Sequence, residues 1–232
     1  MCIVVLDNDE CTGSWAGMSV LYSIMDRLGI PPNPALFARL IVDTGAIRPG
    51  VRALFDVIQR LRQNGGVSRV VMCTAARNDN GWVMFLRRVL EIWYGSPFFD
   101  VVIDGKAIRD WHTRHGTLFD DPVTGSVYKD MNMVRFRFPD EQVIMVDDRP
   151  NYIQNGTALG VTPFGKQINL TALAREYIPV WNADIERMLE RDLNCNVYYP
   201  RTVNQSTRTE EQWVSEMYVL AARLYLLATT SK

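Results

Sequence analysis

Two short acidic clusters in this chain of 232 residues have the residue types to do chemistry together: Asp7-Asn8-Asp9-Glu10 and Asp147-Asp148-Arg149-Pro150. Each follows an apolar run of strand length, Ile3 to Leu6 in one case and Gln142 to Val146 in the other. If those runs are neighbouring strands, Asp7, Asp9, Asp147 and Asp148 converge, and like charges so close repel unless a cation neutralises them. Oxygen ligands select a hard ion, and a small set of them with room for water and phosphate favours Mg2+ over Ca2+. A third strand end carries Thr74-Ala75-Ala76-Arg77. Taken singly, each group has a bland explanation. Asp-Asn-Asp makes turns through side-chain bonds to local backbone, Thr74 suits a helix N-cap, and Asp147-Asp148 before Arg149-Pro150 suits an exposed turn. Their joint pattern carries the functional reading.

The elements that must position these residues are legible as apolar runs at Ile3 to Leu6, Val67 to Cys73, Phe98 to Ile103, Gln142 to Val146 and Leu159 to Phe164. Runs this continuous and rich in Val and Ile suit strands covered on both faces. Between them, Val51, Leu54, Phe55, Ile58 and Leu61 share one helical face, as do Trp82, Leu86, Val89, Leu90 and Trp93. Alternation of strand and helix predicts an α/β, doubly wound, mainly parallel sheet, whose ligand crevice lies at the carboxyl ends of the strands. Thr12 to Ile47 is too long for an ordinary βα connection and is expected to be an inserted helical cap, with Trp15 and Tyr22 as its own small core. Residues 104–128 form a second insertion, with a turn at Asp121-Pro122-Val123-Thr124-Gly125 and another at Asp104-Gly105-Lys106. After about Leu170 the chain is expected to be helical, giving a catalytic core over 1–176 and a helical extension over 177–232 packed on it.

Composition narrows the function. A formal net charge of -1 supplies no field for a polyanion, so nucleic-acid binding is not favoured. The four cysteines have no zinc-type spacing, which suits a reduced protein of the cytoplasm or nucleus. The first apolar run is too short for a signal-peptide core, and the run from Tyr218 to Ala228 is interrupted by Arg223 and falls short of a membrane span. His112 and His115 have helical spacing but no third ligand group with them, so a solvated loop or a substrate-facing surface is expected there instead of a zinc site.

The ordered elements resemble the haloacid-dehalogenase (HAD) superfamily, and more closely its FCP/SCP and NLI-interacting-factor-like phosphatases, which act on the polymerase C-terminal domain and related phosphoproteins. The resemblance lies in Val4-Val5-Leu6-Asp7-Asn8-Asp9-Glu10, Arg48-Pro49-Gly50-Val51, Val71-Met72-Cys73-Thr74-Ala75, Tyr128-Lys129-Asp130-Met131 and Ile144 to Pro150. It implies a five-stranded sheet of order 5-4-1-2-3. It further implies that Asp7 is the nucleophile that forms an aspartyl-phosphate, that Asp9 is the general acid and base, and that Mg2+ is held by Asp7, Asp9 through its carbonyl, Asp148 and, more remotely, Asp147. Thr74 and Ala75 would bind phosphoryl oxygen, helped by the start of a following helix, and Lys129 would neutralise its charge. Lys129 is preferred over Lys106 because it is followed by Asp130 and lies nearer the last motif. Arg77 and Arg149 flank the crevice, where an anionic substrate could meet them, although surface charge explains them equally well. Substrates implied are a phosphoprotein or a small phosphate ester. The chain departs from the family in having Cys11 where Thr or Val is usual, in Asp148 where the subgroup often has Asn, and in a helical cap. A catalytically inactive scaffold and a phosphotransferase stand as alternative functions.

Overall fold

The structure is a computed structural model, described here over residues 1–165, 175–176, 178, 182–195 and 208–230. Strand β1 (Cys2–Leu6) lies at the centre of a five-stranded sheet whose other strands are β2 (Val67–Cys73), β3 (Val101–Ile103), β5 (Gln142–Asp147) and β7 (Thr157–Gly160), in the order β3-β2-β1-β5-β7. Every pairing is parallel. The arrangement is the expected doubly wound, parallel, Rossmann-type α/β sheet, in the expected strand order. Two further strands, β4 (Lys129–Asp130) and β6 (Ile153–Gln154), pair in a small separate sheet that the sequence pattern does not suggest.

The pleat explains the unbroken apolar strands. Cys2, Val4, Leu6, Val70, Met72, Ile144 and Val146 point to one face and Ile3, Val5, Val71, Cys73, Val143 and Met145 to the other. The first face is covered by α1 (Ala16–Arg27), α2 (Pro34–Asp43), α3 (Val51–Gln63) and α4 (Trp82–Tyr94). The second is covered by α5 (Gly105–His115) and α6 (Asn132–Arg135). Helices α7 (Ala183–Cys195) and α8 (Glu210–Thr230) follow among the described residues, and α8 packs along α3. At Gly50, with φ of 79°, a side chain would meet the α8 backbone at Val214, 2.9 Å away, so the two helices touch at a point that only glycine allows. The residue expected to open the helical extension, 177, lies outside the described residues.

Several sequence expectations need correction. The third strand covers only Val101–Ile103, because Phe98 and Phe99 leave the ladder and Phe98 stacks on Phe55 with ring centroids 4.0 Å apart. The last strand ends at Gly160, with Val161 and Phe164 buried beyond it. Residues 105–115 are helix, not turn and loop. Asp104 caps that helix by accepting from the Ala107 N–H at 2.8 Å, and His112 is buried. Trp15 and Tyr22 form no separate core. They join the main one, where Tyr22 packs on Trp82 and Phe85 of α4 at centroid distances of 5.5 and 4.7 Å.

Candidate metal and phosphate site

The register places Leu6 beside Val146, and the Asp7 N–H donates to the Val146 carbonyl at 3.0 Å. Asp7 therefore emerges next to Asp147, the last residue of β5. Both side chains are buried at the carboxyl end of the sheet. Lys129 closes the gap: its Nζ donates to Asp7 Oδ1 and to Asp147 Oδ2, each at 2.7 Å. Burial pulls the Lys129 ammonium down, but the two carboxylates it donates to outweigh that pull and hold it above its usual range, so it stays charged.

The negative charge exceeds what Lys129 balances. Oxygens of Asp7, Asp147 and Asp148 lie within 4.8 Å of one another. Asp147 is fully engaged, since its Oδ1 also accepts the Arg149 N–H at 2.7 Å. Asp148 Oδ2 is buried with no hydrogen-bond partner and has Arg149 Nε at 3.4 Å as its ion pair. Burial raises the Asp7 carboxyl well above its usual range. Lys129 opposes that shift, and Asp147 and Asp148 reinforce it. Asp148 is raised by burial and by Asp147. Hard oxygen donors, crowded and short of positive charge, fit a divalent cation.

Asp9 lies two residues further on, in the loop that leads to α1, and its Oδ1 accepts the N–H of Trp15, the residue before that helix, at 3.3 Å. Burial raises its pKa and that hydrogen bond lowers it, with a net upward shift. Glu10 has a left-handed φ of 60° and a carboxyl pushed up to about 7 by burial, then by Asp148 and Asp9, against the pull of Arg149.

Thr74 follows β2 and is buried. Its N–H donates to Ile103 O, and its hydroxyl accepts the Ala76 N–H at 3.1 Å in a local turn. No helix starts there: α4 begins at Trp82, so the expected helix-terminal amides are absent from this turn. Gly105 packs beneath the turn so closely that a Cβ would sit 2.1 Å from Ala75 O. Ala75 is exposed. Arg77 is not drawn into the cluster; it is exposed and pairs with Asp79 at 2.8 Å. Lys106 is exposed on α5, away from the role of Lys129.

Lys129 owes its placement to its neighbours. Asp130 accepts from Trp111 Nε1 at 3.0 Å, Asn155 Nδ2 at 2.9 Å and Asn132 N at 3.0 Å, while His112 Nε2 bonds the Tyr128 carbonyl at 2.9 Å. A carbonyl only accepts, so that His112 nitrogen carries the proton. His112 is thus a support of the strand that presents Lys129. Sequence reasoning named Glu10 and Asp130 only as members of the motifs and missed their roles here, along with that of His112. For the first two, a charged residue directly beside a motif aspartate or lysine was an available signal.

Fold and cluster together define a doubly wound, parallel α/β chain with a group of carboxylates able to hold a divalent cation. No family model matches the chain, and no curated protein matches it by sequence. Among solved structures it is similar to one described as the structure of Fcp1, an essential RNA polymerase II CTD phosphatase, at 14% identity and a TM-score of 0.39. That match covers 97% of this chain and 63% of the other, so the chain spans less than two thirds of its length.

Proposed function

We propose that the chain is a Mg2+-dependent phosphomonoester hydrolase that works through an aspartyl-phosphate on Asp7. The observation that carries this reading is Lys129 Nζ, 2.7 Å from both Asp7 Oδ1 and Asp147 Oδ2, beside an Asp148 oxygen that has no hydrogen-bond partner. Asp7, Asp148 and the Asp9 carbonyl would hold the cation, and Asp147, with both oxygens engaged by Lys129 and the Arg149 N–H, would support them. Bound Mg2+ would supply positive charge that favours ionised Asp7 and draws electron density from phosphoryl oxygen.

The chain's own residues account for the proton movements. Ionised Asp7 attacks phosphorus through a carboxylate oxygen, and the bond from phosphorus to the ester oxygen breaks. Asp9, whose burial favours the protonated form, gives its proton to the departing alkoxide. As a carboxylate it then takes a proton from water, whose oxygen attacks phosphorus and frees Asp7 and inorganic phosphate. Lys129 offsets the charge that builds on the transferring group, and the Thr74 hydroxyl, whose oxygen accepts the Ala76 N–H, donates its proton to that group. Ala75, exposed beside Thr74, would meet the phosphoryl group through its backbone. Substrates are phosphoproteins or small phosphate esters. Cys2, Cys11 and Cys73, free and buried, support a reducing compartment such as cytoplasm or nucleus. Among the described residues no helix is long and apolar enough to cross a membrane.

Hydrolysis of p-nitrophenyl phosphate tests this reading. Release of p-nitrophenol requires Mg2+ and is lost in Asp7→Asn; undiminished turnover in that variant removes Asp7 as nucleophile.

A further inference from the structure

Among the described residues, Arg48 is the largest side chain fully withdrawn from solvent. It lies far in sequence from both acidic motifs, yet its guanidinium reaches three carbonyls around them. Nη1 donates to Thr162 O at 2.7 Å, Glu10 O at 3.3 Å and Cys11 O at 3.4 Å. Its counter-charge comes from the end of the chain: Nη2 donates to Glu216 Oε2 of α8 at 2.6 Å, and Trp213 of the same helix lies under the guanidinium, 4.7 Å from its ring centre. Glu216 is itself fixed, since its Oε1 accepts both the N–H and the hydroxyl of Thr162, at 2.9 and 2.8 Å.

These bonds converge on the one non-glycine left-handed residue of the acidic loop. Glu10 reverses the chain directly after Asp9, a conformation that L residues adopt only when surrounding contacts hold it. Its carbonyl is captured from two sides, by the Phe164 N–H at 2.7 Å and by Arg48. Its N–H donates to Gly13 O at 2.8 Å, and the Thr12 N–H closes the loop on Asn8 O at 2.9 Å. Removing Glu216 would leave a buried guanidinium without its carboxylate and would loosen this clasp.

From this we infer that Arg48 is a positioning residue for the Asp9–Cys11 loop and that Glu216 makes the C-terminal helix α8 part of the catalytic unit. Arg48 touches no reacting atom; it acts by fixing the backbone that carries Asp9. The kinetic consequence rests on the phosphatase reading, whereas the structural consequence does not.

The test uses the full chain and measures amide hydrogen exchange residue by residue together with p-nitrophenyl phosphate kinetics. In Glu216→Ala, and more mildly in Glu216→Gln, the Glu10 and Thr12 amides exchange about tenfold faster or more while amides of β1 and β5 keep their protection. In the same variants kcat falls about tenfold or more, and KM moves by less than about threefold. A double variant, Arg48→Met with Glu216→Leu, replaces the buried pair by apolar groups and regains thermal stability, but its loop amides stay fast. Loop protection that is unchanged in the folded Glu216 variants overturns the inference, as does its return in the apolar double variant. If the wild-type chain does not hydrolyse the ester, the phosphatase reading fails and the exchange result still decides the positioning role.

Discussion

Two buried ionic clusters flank the Asp9–Cys11 loop, and they are balanced differently. On one side the buried Arg48 has a carboxylate in Glu216, which it shares with the exposed Arg208, and main-chain carbonyls for Nη1, with only its Nε left without a hydrogen-bond partner. On the other, Asp7, Asp147 and Asp148, with Asp9 and Glu10 beside them, outnumber Lys129 and Arg149, and one Asp148 oxygen has no hydrogen-bond partner. A pair that serves the fold neutralises itself, because an unpaired buried charge is costly. A cluster left short of positive charge has stability to gain from a ligand that brings it.

The sharpest way to break this comparison is Lys129→Met. Losing the cation shared by Asp7 and Asp147 should lower kcat by about 100-fold or more, and the metal-free protein should lose about 3 kcal/mol, measured by urea unfolding. Next, charge removal should have opposite signs in the two clusters. Asp148→Asn relieves repulsion and should stabilise the metal-free protein by about 1 kcal/mol, while raising the Mg2+ concentration needed for activity about tenfold. Glu216→Gln should instead destabilise it, and equal signs would erase the distinction.

Glu10 gives the pH dependence. Its carboxyl is raised in the folded chain from an ordinary 4.5 to about 7, so the folded state binds the proton more tightly than the unfolded state. The stabilisation is fully present below about pH 4.5 and is lost as pH rises through about 7. Glu10→Gln should flatten that slope in metal-free unfolding curves by on the order of 1–3 kcal/mol. The smallest effect belongs to Arg77→Ala: with its guanidinium paired to Asp79, kcat/KM should change less than about threefold.

What was legible in the sequence follows from the same physics. Strands buried on both faces are continuous apolar runs, so β1, β2 and β5 and the acidic residues at the ends of β1 and β5 could be placed from pattern alone, and Lys129 meets both. Other features depend on partners that local pattern does not contain. The strand of Lys129 is two residues long, held by β6 and by Trp111 and His112. Helix α5 buries few apolar side chains, so its pattern resembled a polar loop. Phe98 has strand character but leaves the sheet to stack on Phe55. Arg48 stood in a recognisable Arg-Pro-Gly stretch, yet its carboxylate lies 168 residues away on α8, beyond any spacing rule.

The central claim, that the uncompensated carboxylates are arranged for Mg2+ and a phosphoryl group on Asp7, is tested most directly by thermal unfolding with Mg2+ and beryllofluoride, a mimic of aspartyl-phosphate. The melting temperature should rise by about 5 °C or more only when both are present, and the rise should vanish in Asp7→Asn while persisting in Arg77→Ala. A melting temperature that the mixture leaves unchanged in the wild-type chain contradicts the account.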